Sequence, residues 1–139
     1  MSRFHERVKG VYFDDLDPFG ILHNARYLLL FERVVGSFWQ ELGFGALQSR
    51  GDGRHVVRAN TIQYLVPVRG TGEVRVRVWV EHLGTTSLTF GFKVLARDEN
   101  VVHAEGTRVI VRVDFDTWKA APWTDELRTH LAPYVLNAD

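Results

Sequence analysis

The sequence predicts an α+β domain: an antiparallel β-sheet of about five strands wrapped around one long central α-helix, with a short helix near the C-terminal end. Three observations predict it. Apolar residues recur at helical spacing over one extended segment, about Asn24 to Leu42. From Arg54 onward the chain alternates apolar and polar residues with a period of two. Tight-turn chemistry interrupts that alternation at short intervals, which joins successive strands as antiparallel neighbours.

The elements follow in order. Phe4 to Asp14 mixes β-branched and aromatic residues with charge and reads as a strand. Asp17-Pro18-Phe19-Gly20 carries the type I turn preference, with Asp first, Pro second and Gly fourth. The helix then places Tyr27, Phe31, Val34, Val35, Phe38 and Leu42 on one stripe, which Leu28, Leu29 and Leu30 widen at its start. A stripe that wide belongs to a helix covered by other structure, and Gly43 supplies the stop. At 1.5 Å per residue the helix is expected to run roughly 30 Å. Phe38, Trp39 and Phe44 read as core or interface. Arg54 to Val66 is a strand closed by Pro67. Val74, Val76, Val78 and Val80 alternate with Arg75, Arg77, Trp79 and Glu81. Leu88, Phe90, Phe92, Val94 and Ala96 share the next apolar face. Gly84-Thr85-Thr86 and Asp98-Glu99-Asn100 are the connections, and Val101 to Val113 is the last strand. Thr124, followed by Asp125 and Glu126, is the N-cap of the short helix, which ends about Leu131.

Composition bounds the function. The 139 residues fit one domain, expected to span 1–139. Lys+Arg and Asp+Glu are both 17, so the basic surplus of a general nucleic-acid or anionic-membrane binder is missing. Cysteine is absent, which excludes disulfides, thiolate catalysis and Cys-ligated metals. The six histidines are dispersed, so no metal site is expected. The opening MSRFHERVKG lacks the apolar run of a signal peptide, and no apolar run nears the ~20 residues of a membrane span. A soluble cytoplasmic protein is expected. No G-x-S-x-G, G-x-G-x-x-G or Walker-type loop occurs.

One segment, Val11 to Tyr27, is dense in chemistry. Asp14, Asp15 and Asp17, with His23 and Asn24, surround a turn that leads into the helix. A helix start offers unpaired N–H groups and partial positive charge, which can stabilise a developing oxyanion. A carboxylate beside them can attack a carbonyl or deprotonate water. That combination suits acyl transfer or hydrolysis. Each residue also has a purely structural reading: Asp17 as a turn residue, Asn24 as an N-cap, His23 as a satisfied loop or core histidine, Asp14 and Asp15 as strand-end charges.

The segment resembles the active-site region of the hotdog-fold acyl-CoA thioesterases, in the 4-hydroxybenzoyl-CoA thioesterase branch. The shared pattern is D-x-D-x-x-G, two hydrophobic residues and a later Tyr, here Asp15, Asp17, Gly20, Ile21, Leu22 and Tyr27, with Glu32 as the acidic residue on the helix. The likeness continues through Tyr64-Leu65-Val66-Pro67, Leu83 to Ser87, Ala104-Glu105-Gly106 and Val113-Asp114. The branch often has a Tyr-His pair at the positions of His23 and Asn24 and an Asn at that of Arg26. Here the histidine falls one place earlier.

The resemblance implies hydrolysis of an acyl-CoA, or a carrier-protein thioester, with coenzyme A as part of the substrate and no separate cofactor. It implies Asp17 as nucleophile or general base and the Asn24 backbone N–H as the donor to the thioester carbonyl. Gly20 would let the backbone pass close to the acyl group. His23 and Tyr27 would line the acyl pocket, and Asp15 would shape the turn. Arg58 and Asn60 would belong to the coenzyme A groove, with Lys93, Arg97 and Arg69 as candidates for its phosphates. Two other readings fit the same fold: a non-catalytic acyl-CoA-binding module, and an enoyl-CoA hydratase or dehydratase using His23 with a carboxylate. A sheet edge left open predicts a homodimer or homotetramer.

Overall fold

The computed structural model describes residues 3–44 and 54–136. Five strands form one antiparallel sheet. They are β1 (His5–Val11), β2 (His55–Tyr64), β3 (Gly72–Leu83), β4 (Ser87–Ala96) and β5 (Val102–Arg112), in the order β1-β3-β4-β5-β2. The expected alternation sets the faces. Val74, Val76, Val78 and Val80 of β3 and Leu88, Phe90, Phe92 and Val94 of β4 are all buried, while the residues between them are partly exposed, apart from the close-packed Gly91. Gly84-Thr85-Thr86 joins β3 to β4, and a short turn through Asp98 joins β4 to β5, both where turn residues cluster in the sequence.

The helix expected from Asn24 to Leu42 is α1 (Arg26–Glu41). Its 16 residues give about 24 Å at 1.5 Å per residue, shorter than expected. The shortening is at the start, where the chain from His23 to Ala25 forms a separate turn. At its far end Gly43 has φ +89°, the Gly43 N–H bonds the Gln40 carbonyl at 3.0 Å, and the Phe44 N–H bonds Trp39 at 2.9 Å. This is a Schellman ending, and glycine tolerates its left-handed residue.

The helix touches both edges of the sheet. His5 of β1 lies 5.1 Å, centroid to centroid, from Phe38, and His55 of β2 stacks on Trp39 at 5.6 Å. Five strands at ~4.8 Å spacing would be about 19 Å wide if flat, while a helix with its side chains is about 10–12 Å across. Contact at both edges therefore requires the sheet to curl about α1. Phe31 stacks on Phe92 at 4.6 Å, and Phe38 and Trp39 meet Phe90 edge-on, which fills the space between. Phe38, Trp39 and Phe44 are all buried within this core.

A polar clamp holds β1 to the second half of α1. The His5 Nε2 lies 2.8 Å from Ser37 Oγ, and its Nδ1 lies 2.6 Å from the Glu41 carboxylate. Ser37 donates to the Val34 carbonyl at 2.7 Å, and Arg7 reaches Glu41 at 3.1 Å. Burial, with Arg7 nearby, pushes the His5 imidazole below its ordinary value, and Glu41 opposes that shift. On the other side of the helix, Arg108 of β5 is buried between Glu32 (2.9 Å) and Asn60 (2.7 Å), over the Phe31 ring. The short helix α2 (Asp125–Leu131) begins as expected, with Thr124 Oγ accepting the Leu127 N–H at 3.2 Å.

Candidate active site

The chain between β1 and α1 is a set of linked turns. Asp15 ends a single 3₁₀ turn, Phe13–Asp15. Its side chain accepts the Tyr12 N–H at 2.8 Å, and its carbonyl accepts the His23 N–H at 2.9 Å. Arg26 approaches the same carboxylate at 3.8 Å. Asp15 is therefore buried and occupied in shaping the loop.

Asp17 opens the expected turn. The Gly20 N–H bonds its carbonyl at 2.9 Å, and its Oδ1 accepts the Phe19 N–H at 2.8 Å and the Ile21 N–H at 3.3 Å. Gly20 has φ +76°, and a Cβ there would meet nothing within 4 Å, so the demand for glycine is one of backbone conformation alone. The Gly20 carbonyl accepts the Gly70 N–H at 2.9 Å, which ties the turn to the loop before β3. Among the described residues the Asp17 Oδ2 receives no hydrogen bond.

At the helix entry the N-cap position is Ala25, which has no capping side chain. The Asn24 side chain, one of whose readings is an N-cap, does not cap the helix. The histidine before it closes a turn just ahead of the helix: His23 Nδ1 accepts the Ala25 N–H at 3.1 Å. The Asn24 carbonyl accepts from the Tyr64 hydroxyl at 3.0 Å, and the Asn24 N–H has no hydrogen-bond partner among the described residues.

These groups meet in one cleft of about 470 Å³, lined by Asp17, Pro18, Ile21, Leu22, His23, Asn24, Tyr27, Tyr64 and Pro67. Its floor is apolar and aromatic, with Tyr27 edge-on to Tyr64 at 5.1 Å. Burial pushes the Tyr27 phenol above its ordinary value, a backbone bond with Val68 opposes it, and Tyr64 adds slightly to the rise. Tyr27 therefore stays protonated at neutral pH and is no base. Two residues of this lining, Asp17 and Asn24, thus carry a carboxylate oxygen and a backbone N–H that have no hydrogen-bond partner among the described residues.

Four of the seven residues named from the sequence line this cleft: Asp17, His23, Asn24 and Tyr27. Gly20 shapes its rim. Arg58 and Asn60 do not line it. The ladder between β2 and β5 shifts register between Val57 and Ala59, so Arg58 sits at a bulge on an exposed edge. The Asn60 side chain is taken up by Arg108. The three cations suggested for phosphates lie apart. Lys93 sits over Trp79, Arg97 pairs with Glu73 (3.7 Å) and Asp98 (3.6 Å), and Arg69 bridges through its backbone to Ile21 at the cleft. The sequence reading did not name Tyr64 as a site residue. Only a Tyr-x-x-Pro strand end pointed to it, and its partner Asn24 is 40 positions away. Among the described residues no three His, Asp or Glu gather as a metal site.

The chain has the hotdog-like fold of thioesterases, and comparison with known proteins gives the family. The model of the Thioesterase-like superfamily matches residues 11–131. The chain belongs to that family and is a thioester hydrolase. It is similar to the uncharacterized protein YsmA of Bacillus subtilis, with 30% identity over 118 residues, 84% of this chain and 78% of that one. It is also similar to the acyl-CoA thioester hydrolase YbgC of Escherichia coli, with 26% identity over 105 residues, 75% of this chain and 78% of YbgC. Among solved structures it matches a thioesterase of Thermus thermophilus complexed with coenzyme A and zinc. The TM-score is 0.78 at 28% identity, over 91% of this chain and 90% of that one.

Proposed function

We propose that this chain hydrolyses an acyl-CoA thioester to the free acid and coenzyme A. One observation carries the reading: Asp17, with a carboxylate oxygen that receives no hydrogen bond among the described residues, and Asn24, whose N–H has no partner among them, line the same cleft. The thioester carbonyl sits against the Asn24 N–H, which stabilises the charge that develops on oxygen. The Asp17 carboxylate attacks the carbonyl carbon or takes a proton from the water that does. The tetrahedral intermediate collapses, the C–S bond breaks, and the coenzyme A thiolate leaves and is protonated; if Asp17 itself attacked, water then hydrolyses the acyl–Asp17 anhydride to release the acid and restore the carboxylate. The acyl group rests on the Tyr27, Tyr64 and Ile21 floor. The relatives that act on acyl-CoA or bind coenzyme A support this substrate class.

Coenzyme A enters as part of the substrate, and the reaction needs no resident cofactor. Arg69, beside Ile21, is a candidate for its phosphates, and Arg58 and Asn60 belong to a more distant part of its groove. The chain works as one domain in a cytoplasmic homodimer or homotetramer. The support for assembly is edge strand β2 and the residues after it, where Val56, Val57, Tyr64, Leu65 and Val66 are all exposed.

The test is thiol release from a panel of acyl-CoAs by wild type and Asp17→Asn. Hydrolysis by wild type and its loss in the variant is the expected result, and equal rates would overturn the role of Asp17. Quenching a single turnover separates the two mechanisms: an acyl group trapped on Asp17 identifies the nucleophile.

A further inference from the structure

We infer that His23 is a positioning residue that aims the Asn24 N–H into the cleft. This rests on the reading of that N–H as the donor to the thioester carbonyl. Two peptide planes flank Asn24. In the first, the His23 carbonyl accepts the Arg26 N–H at 2.9 Å. A trans peptide is planar with its N–H opposed to its C=O, so fixing that oxygen fixes the direction of the Asn24 N–H. In the second plane both ends are held. The Asn24 carbonyl accepts from Tyr64, and the Ala25 N–H donates to His23 Nδ1. The His23 N–H itself is anchored on Asp15 at 2.9 Å. His23 thus holds one or the other plane through its side chain, its carbonyl and its amide. The residue between them keeps an open N–H.

The side-chain bond is the one that a substitution can remove. It does the work of an Asx turn, in which the side chain of residue i accepts the N–H of residue i+2. Helix α1 has no side-chain cap and no acidic residue in its first turn. Without the His23 Nδ1 bond, the Ala25 N–H has no other partner among the described residues, and the plane that follows Asn24 is held at its carbonyl end alone, by Tyr64. The same bond fixes the ring. An Nδ1 that accepts a backbone N–H carries no proton, so the neutral ring is protonated at Nε2. No hydrogen bond joins it to Asp17 among the described residues, so His23 acts through Asn24 and not through the carboxylate.

Three variants of the full chain test this. His23→Asn restores an acceptor at the i-to-i+2 spacing. His23→Gln is polar but too long for that turn, and His23→Leu has no acceptor. In acyl-CoA hydrolysis we expect Gln and Leu to lower kcat by about 10–100-fold, as for a reacting group displaced by about 1 Å. KM should stay within about threefold, because the donor is used more in the transition state than in the ground state. Asn should remain within about threefold of wild-type kcat. Amide hydrogen exchange gives a readout independent of turnover: the Ala25 amide should be protected in wild type and His23→Asn and exposed in His23→Gln. Equal Ala25 exchange in wild type and His23→Gln overturns the inference, and so does a His23→Asn rate as low as that of Gln. A wild type that hydrolyses none of the acyl-CoAs while Ala25 remains protected overturns the thioesterase reading instead.

Discussion

Two polar clusters sit at opposite ends of α1, and by residue type the one away from the cleft looks the more catalytic. Toward the C-terminal end, Ser37, His5 and Glu41 line up at 2.8 and 2.6 Å, the order of a nucleophile, a base and an orienting acid. At the N-terminal end, Asp17, His23 and Asn24 show no such chain. The difference lies in what each cluster leaves open. His5 is buried, and Ser37 already donates to Val34. Ser37 also lies inside the helix, where backbone N–H groups are committed to the residue four earlier, so no oxyanion donor stands beside it. At the helix entry the first N–H groups have no such partner. There Asp17 and Asn24 line one cleft, with a carboxylate oxygen and an N–H that have no partner among the described residues. One cluster closes the fold, and the other keeps groups available for a substrate.

Four measurements can break or sharpen this comparison. The largest effect is expected at Asp17→Asn, with a fall in kcat of at least about 100-fold, the low end for loss of a general base. Its melting temperature should stay close to wild type, since an Asn Oδ1 can still accept the Phe19 N–H. A loss of folding in this variant would show that Asp17 is chiefly a turn residue. Next is Phe38→Ala, at the closed end, which removes a fully buried ring packed on Phe90 and Tyr134. It should cost about 3–5 kcal/mol of stability by denaturant titration. Below that is Ser37→Ala, expected to cost about 0.5–1.5 kcal/mol while kcat is unchanged. A loss of hydrolysis there would overturn the division between the two ends.

The smallest effect is a pH dependence. The His5 imidazole is held below its ordinary 6.5 in the folded chain. As pH falls through 6.5, the unfolded chain binds a proton that the folded one resists, so stability drops until the folded-state value is passed. Above 6.5 the contribution is fully present. The thermal midpoint of wild type should therefore fall more than that of His5→Gln between neutral pH and about pH 5. Parallel curves would remove His5 from the account.

The strand faces, the β3–β4 hairpin, the Asp17–Gly20 turn, the Gly43 stop and the Thr124 cap were all legible in the sequence. Each depends on interactions within a few residues, on side-chain period or on a local hydrogen bond, and such interactions leave their pattern in neighbouring positions. The cleft was legible in part. Asp17, Gly20, Asn24 and Tyr27 stand within one short stretch, and the resemblance of that stretch to a thioesterase pattern suggested the roles proposed for them. The helix start was misjudged by two residues because Asn24 has the chemistry of a cap, while the ring of His23 makes the bond.

The sequence by itself determined the α+β architecture, the exclusion of thiol chemistry and the segment from which the site is built. The tertiary structure decided which atoms of that segment remain open. Tyr64 reaches back across 40 positions to hold the Asn24 carbonyl. Arg108 takes up Asn60 and Glu32, and the clamp at His5 takes up Ser37 and Glu41. An amino-acid type specifies what a group can bond to, and only the packing of distant segments specifies what it has already bonded. A reactive site is the set of capable groups that packing has left without a partner.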